Sequence, residues 1–227
     1  VWSIRGTTDN ETVAPAAASV KRCALSVQRF SVNSYKTCYM KKITLGLCLL
    51  IAASSWAQDK YVPEIKQGTK LGYSAYVNGQ AFPCTFSFDS VGAGYIKVGW
   101  NIDGFGNGTW IMKSKSLESG AKGLWGQPSP STEEVLADDQ TVLVFSKAQW
   151  DQLQKDKKID FDNQSFAVKT PTEQQQLKIA GKPVDAFFAE NAAGSTRIWI
   201  LNNAIFPVML KIEGNNLGAD LTINSVE

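Results

Sequence analysis

The chain has 227 residues, of which 44% are hydrophobic and 19% charged, and its formal net charge is +2. It is too apolar for a disordered chain and long enough for one sizeable core. It contains no histidine, which excludes Ser-His-Asp and Cys-His nucleophiles, His-ligated zinc and imidazole acid–base chemistry.

Met40 is followed by Lys41-Lys42, then by the eleven-residue apolar run Ile43 to Ala53, then by small residues at Ser55 and Ala57. This three-part layout predicts a secretory signal peptide over 40–57, cleaved after Ala57. The run is too short to cross a bilayer of about 30 Å as a helix. Leu47 stands where a lipoprotein signal ending at Cys48 needs a small residue. Residues 1–39 show no sustained period of 2 or 3.6 and read as an unstructured upstream extension, outside the native protein. Residues 58–227 then form the mature chain, with sixteen basic and nineteen acidic residues and a net charge of −3. Such a chain is a poor partner for nucleic acid or an anionic membrane surface. Of the four cysteines, Cys23, Cys38 and Cys48 precede the cleavage point, so Cys84 is left alone. A lone cysteine makes no internal disulfide, and packing has to hold a single domain, expected as a monomer. The signal implies export from the cytoplasm.

From Thr69 the mature chain alternates, with Leu71, Tyr73, Ala75 and Val77 on one strand face. Asn78-Gly79 is a two-residue hairpin signal, because both positions tolerate positive φ. The return strand carries Phe82, Cys84, Phe86 and Phe88, and Pro83 makes part of it an edge or a bulge. Ile96, Val98, Trp100 and Ile102 alternate next, Asp103 to Gly108 turns, and 109–117 reads as a fourth strand of an antiparallel meander, which Leu124-Trp125 could close. A Pro/Ser loop spans Gln127 to Glu134, and a β-branched run follows over Thr141 to Phe145. Ser146 and Gln149 form a capping box for one helix near 147–156, with Trp150 and Leu153 on one face. Further strands are read at 161–168, 177–180, 184–190, 196–202, 207–213 and 219–226, with hairpin turns at Gly181-Lys182 and Ala193-Gly194. Ile198 to Leu201 is apolar on both faces and reads as a central, doubly covered strand. The fold class is mostly β: one strongly curved antiparallel sheet, an open or incomplete β-barrel, with one short helix. A closed lipocalin-like barrel is the alternative, since closure depends on strand tilt and shear.

Five Trp, ten Phe and four Tyr fall in 58–227. Aromatics suit strands and fill cores, and in a barrel too large to fill itself they line a cavity. Cys84, set among phenylalanines, reads as a buried and inert thiol. Asp138-Asp139 and Asp160, Asp162 and Asn163 offer oxygens for calcium but fit no twelve-residue EF-hand loop, and they read as solvated turns. There is no nucleophile motif, no metal cluster and no cofactor fingerprint. An enzyme is not expected, and any catalysis would need a carboxylate pair with one buried member.

Asp139-Gln-Thr141, Ser146-Lys-Ala-Gln-Trp150, Ile198-Trp-Ile-Leu-Asn202, Phe206-Pro207 and Leu210-Lys-Ile-Glu-Gly-Asn215, with the closing run Leu217 to Ile223, carry a resemblance. The pattern, over about 60–227, resembles a group of uncharacterised small exported proteins of Gram-negative envelopes. Their fold is similar to the periplasmic lipoprotein carriers, an open antiparallel half-barrel with short helical cover, and some are described as lipid-binding. The resemblance implies a place in the periplasm or outer envelope of a Gram-negative bacterium and an apolar ligand, and supplies no catalytic residues. The resulting expectation is a lipid or acyl chain held on the concave face by Phe86, Trp100, Trp110, Phe187 and Trp199. The alternative is a non-catalytic module that docks another envelope protein through a strand edge or aromatic patch.

Overall fold

The computed structural model describes residues 60–92 and 94–227. The upstream extension, the signal peptide and the three early cysteines lie outside the described residues.

Alternating apolar positions build the first meander as expected: β1 (Lys70–Val77), β2 (Gln80–Gly92), β3 (Tyr95–Ile102) and β4 (Gly106–Lys113). Asn78 and Gly79 both take positive φ, 52° and 80°, in the turn between β1 and β2. Pro83 lies one residue before the β3 register begins at Cys84; its carbonyl accepts from Asp103 N–H at 2.9 Å, and with no N–H to return the bond the β2–β3 ladder ends there. The strand expected to run to residue 117 stops at Lys113, and Ser114–Ser119 forms a short helix, α1. The buried Ser116 hydroxyl there donates to the Gln140 carbonyl. That hydrogen bond to a distant chain segment is a tertiary contact that alternation along 109–117 does not encode.

The chain then crosses the sheet. Only β5 (Lys122–Gly123), β6 (Glu133–Val135) and β7 (Gln140–Thr141) are regular in this segment. The expected strand at 141–145 is therefore mostly irregular, and Leu143 sits at φ 60°. Helix α2 (Lys147–Asp156) has the expected capping box of Ser146 and Gln149. The strand expected at 161–168 is instead a hairpin, β8 (Lys158–Phe161) and β9 (Gln164–Lys169), because Asp162 and Asn163 both adopt left-handed φ and turn the chain. A small hairpin, β10 (Lys178–Ile179) and β11 (Lys182–Pro183), precedes β12 (Ala186–Asn191), β13 (Arg197–Leu201), β14 (Met209–Glu213) and β15 (Asp220–Val226).

Eleven strands form one sheet in the order β6-β4-β3-β2-β1-β15-β14-β13-β12-β9-β8. All neighbours are antiparallel except β4 and β6. The two end strands do not pair, so the curved sheet is open. Both ends are blunted. β6 is three residues long and carries Glu133, paired with Lys97 at 2.6 Å. On β8 the Asp160 amide donates to Gln152 Oε1 (3.0 Å), and the Asp160 carbonyl accepts from Gln149 Nε2 (2.8 Å), so two helix side chains stand where another strand would pair.

Two apolar clusters share this sheet. One covers the inner face of the first meander and extends to Phe188, Trp199 and Leu210. The other lies beneath α2 and joins Leu153, Ile159 and Phe166 to Ala189, Ile198 and Ile200. Ile198 and Trp199 therefore face opposite cores, which makes β13 the doubly covered strand the sequence predicts. Where the sheet changes from one core to the other, β14 separates from β15, and only Lys211 and Ile212 keep β15 partners. The crossing segment takes over there: Met209 N–H donates to the Leu143 carbonyl (2.6 Å), and Phe145 N–H to the Pro207 carbonyl (3.0 Å). The Met209 carbonyl accepts from the Tyr73 hydroxyl at 2.6 Å. Tyr73 is 1% exposed, so Tyr73→Phe strands a buried carbonyl. The expected outcome is a loss of about 1–3 kcal/mol of stability in urea unfolding, with the β circular dichroism spectrum retained.

Candidate functional site

The separation of β14 from β15 leaves a cavity of about 130 Å³ at the seam of the two cores. Its sheet-side wall includes Ala75, Cys84, Phe86, Ile102 and Trp110, and Met209 and Leu221 close it from β14 and β15. Its outer wall is the crossing segment, chiefly Leu124, Trp125, Pro128 and Val142 to Phe145. No Asp, Glu, Lys or Arg lines it, so the site offers apolar contact and no charge compensation.

Of the five aromatics expected to converge, Phe86 and Trp110 line this cavity. Their rings stack at 6.1 Å, and Trp100 stacks behind Trp110 at 5.6 Å, supporting the wall without lining it. Trp199 and Phe187 lie apart from the cavity. The Trp199 ring packs on Phe188 at 4.9 Å and beneath Lys211 Nζ at 4.8 Å, and its N–H donates to the Gln175 carbonyl. Phe187 is on the opposite face of β12 from Phe188, against Trp150 at 5.9 Å. Strand parity explains Phe187, since residues 187 and 188 must point to opposite sides, whereas Trp199 shares the core of Phe86 and Trp110 but lies away from the cavity.

Trp125 is the site residue that strand-face reasoning missed. Its indole N–H donates to Asp162 Oδ2 at 2.6 Å, while Asp162 Oδ1 accepts from Gly123 N–H at 2.8 Å. Asp162, read from sequence as a solvated turn residue, thus holds the outer wall in place from the β8–β9 turn. The ring meets Phe161 edge-on at 6.2 Å. A Cβ at Gly123 would lie 2.6 Å from the indole nitrogen, and one at Gly218 would lie 2.9 Å from the Trp125 Cβ, so both glycines are needed for the ring to seat. The rest of the outer wall is fixed as tightly. Leu143 forms the centre of a γ-turn, with Val144 N–H donating to the Val142 carbonyl at 2.7 Å. A bulky residue at φ 60° is strained, and such strain persists only where surrounding bonds impose it.

The Cys84 thiol faces the cavity and donates to the Tyr73 carbonyl at 3.6 Å. Burial pushes its pKa up to about 11, against a small lowering by its hydrogen-bonded neighbour Ala75. Burial also raises the Tyr73 phenol, and the nearby Cys84 adds to the shift. The indole N–H of Trp110 is buried without an acceptor among the described residues. Among the described residues there is no group of three or more metal-ligating side chains, and no Asp or Glu is buried. No helix there is long and apolar enough to cross a membrane.

No family model matches the chain, and neither a curated protein nor a solved structure matches it.

A raised thiol pKa means the folded state resists ionisation. The stabilisation is complete below the ordinary thiol value near 9 and is lost as pH rises toward about 11. Urea midpoints are expected to fall over this interval, and Cys84→Ala to flatten the fall in part, leaving the Tyr73 share. At pH 8 a thiol reagent is expected to modify Cys84 only slowly in the folded protein and rapidly in 8 M urea.

Proposed function

We propose that this chain is an exported envelope protein that binds the apolar part of a lipid or other acylated molecule in the cavity between the curved sheet and its crossing segment. The carrying observation is the uncharged, apolar space walled by Phe86, Trp110, Trp125 and Val142 to Phe145. An apolar cavity of comparable volume, about 150 Å³, stays dry and accepts benzene. The space therefore suits about six carbons, the end of one chain, and is too small for a whole diacyl lipid. The latch of Asp162 on Trp125 and the strained Leu143 keep the cavity preformed, so binding costs little reorganisation. The reading as an exported protein rests on the Met40–Ala57 sequence pattern and on the envelope-protein resemblance.

Burying six methylenes at about 0.8 kcal/mol each corresponds to a dissociation constant on the order of 1 mM or somewhat tighter. Hexan-1-ol is a suitable first probe, because Trp110 and Trp125 border the space and their fluorescence reports its filling. Ala75→Leu pushes a side chain into the void. It should abolish the hexan-1-ol response with the thermal midpoint unchanged or raised, since filling an existing void relieves rather than strains the packing. A response that survives Ala75→Leu, or none in the unaltered protein, refutes the reading. Mass spectrometry of the envelope-derived protein is expected to show an N-terminus at Gln58.

One observation favours the docking alternative. Ile205 is 80% exposed, and its loop is fixed by Asn203 Oδ1, which accepts from both Ile205 N–H (2.9 Å) and Phe206 N–H (3.1 Å). A large apolar side chain presented on a fixed loop is a candidate anchor for a partner. Both sheet ends are blunted, so this alternative rests on the loop and not on strand addition.

A further inference from the structure

We infer that Trp125–Pro130 is a flap that opens when the bond between the Trp125 indole and Asp162 breaks, and that this opening is the way into the cavity. The inference rests on the apolar-ligand reading for what enters, while the opening itself is tested without a ligand. Cys84, Phe86, Trp110 and Val142 to Phe145 are all buried, so a molecule that touches them has to displace some part of the wall. Two strips form the outer wall, and they are held by different means. Val142 to Phe145 is bonded through its backbone: the Leu143 carbonyl accepts from Met209 N–H, Phe145 N–H donates to the Pro207 carbonyl, and Val144 bridges Val208. From 125 to 130, by contrast, no backbone N–H or C=O bonds another backbone group among the described residues. Pro128 and Pro130 have no N–H to offer, and the Ser129 carbonyl accepts only from the nearby Thr132 hydroxyl, at 2.6 Å. The strip is pinned at its ends, where Leu124 N–H donates to the Thr141 carbonyl (3.2 Å) and Ser131 N–H to the Asn107 carbonyl (2.7 Å). Gly126, Gln127, Ser129 and Pro130 are exposed, while Trp125 and Pro128 are half-buried against the cavity. Among the described residues, the indole of Trp125 is thus the one side chain that hydrogen-bonds this strip to the body of the protein. Its partner stays with the body, since Asp162 N–H donates to the Ala121 carbonyl at 2.9 Å. Packing of the ring on Phe161 and over Gly218 keeps the flap closed at rest. A segment with exposed backbone and few bonds of its own opens locally for much less than the cost of global unfolding.

The test reads access to Cys84, whose side chain borders the cavity. Modification by methyl methanethiosulfonate is followed at pH 8 on the Cys84 peptide by mass spectrometry, at urea concentrations below the unfolding transition. Amide hydrogen exchange over residues 124–131 is the independent readout. Trp125→Phe keeps a ring and removes the N–H. Asp162→Asn keeps a residue that tolerates left-handed φ and leaves one acceptor for two donors. Ile198→Val, in the other core, controls for general destabilisation. In the unaltered protein the modification rate is expected to depend little on urea. Each latch variant should raise it by about tenfold and speed exchange over 124–131, and either one suffices should the other not fold. Ile198→Val should lower the urea midpoint and leave the rate unchanged. A rate that climbs with urea in step with global unfolding, or one that a folded latch variant leaves unchanged, overturns the flap. Faster modification without faster exchange over 124–131 places the opening elsewhere and also overturns it. Hexan-1-ol separates the two readings. If the latch variants speed modification and hexan-1-ol does not slow it, the flap stands and the apolar-ligand reading falls. If hexan-1-ol slows modification while the latch variants change nothing, the flap falls and the ligand reading stands.

Discussion

The peptide groups of Met209 are the point on which the rest of the molecule depends. A sheet of eleven strands with an apolar core on each side must change faces somewhere, and at that place a regular ladder has to open. Opening a ladder exposes backbone groups that cost free energy if left unpaired. Here the amide of Met209 is taken by the Leu143 carbonyl and its carbonyl by the Tyr73 hydroxyl. Two residues far apart in sequence replace one missing strand neighbour. The strained turn at Leu143 and the deep burial of a phenol follow from the need to reach that single peptide.

The cavity is a by-product of the same arrangement. The first meander carries its aromatics inward, and the α2 side carries Phe145, Phe161 and Phe166 toward the other core. Trp125 bridges the two, packing on Phe161 while bordering a space that also touches Phe86 and Trp110. Neither core fills the seam. The N–H of Trp110, which has no acceptor among the described residues, lies in the same wall, so stacked aromatics and an unsatisfied polar group coincide there. Natural proteins tolerate such local conflict mainly where a site is kept.

Much of the fold was legible because hairpin turns and period-2 alternation are local. Asn78-Gly79, the face shared by Leu71 and Tyr73, and the Ser146 capping box all appear where the residues imply. The apolar run at 198–201 likewise disclosed a strand covered on both sides. What escaped was set by distant partners. Ser114 to Ser119 coils because it docks through Ser116, and 141–145 is apolar because it crosses a sheet face, not because it joins a ladder. Asp162-Asn163 was legible as a turn, but the strand read at 161–168 ran through it because the β8–β9 pairing is not visible in the alternation. For the site, parity gave the correct side for Phe86 and Trp110. It could not tell which inward aromatics lie near the seam, and so it grouped Trp199 with them although Lys211 and Phe188 occupy its ring. Trp125 lay in a loop, where periodicity is silent.

The far end of the sheet is written in two side-chain amides. Gln149 and Gln152 supply to Asp160 the acceptor and donor that a twelfth strand would bring. A backbone edge closed in this way owes its closure to the identity of two helix side chains, one buried and one half-buried, not to topology. Gln152 can be lost by a single change that leaves the buried Gln149 and its capping box intact. The boundary between a finished sheet and one open to growth is then one substitution wide, and it lies on a helix that takes no part in the cavity.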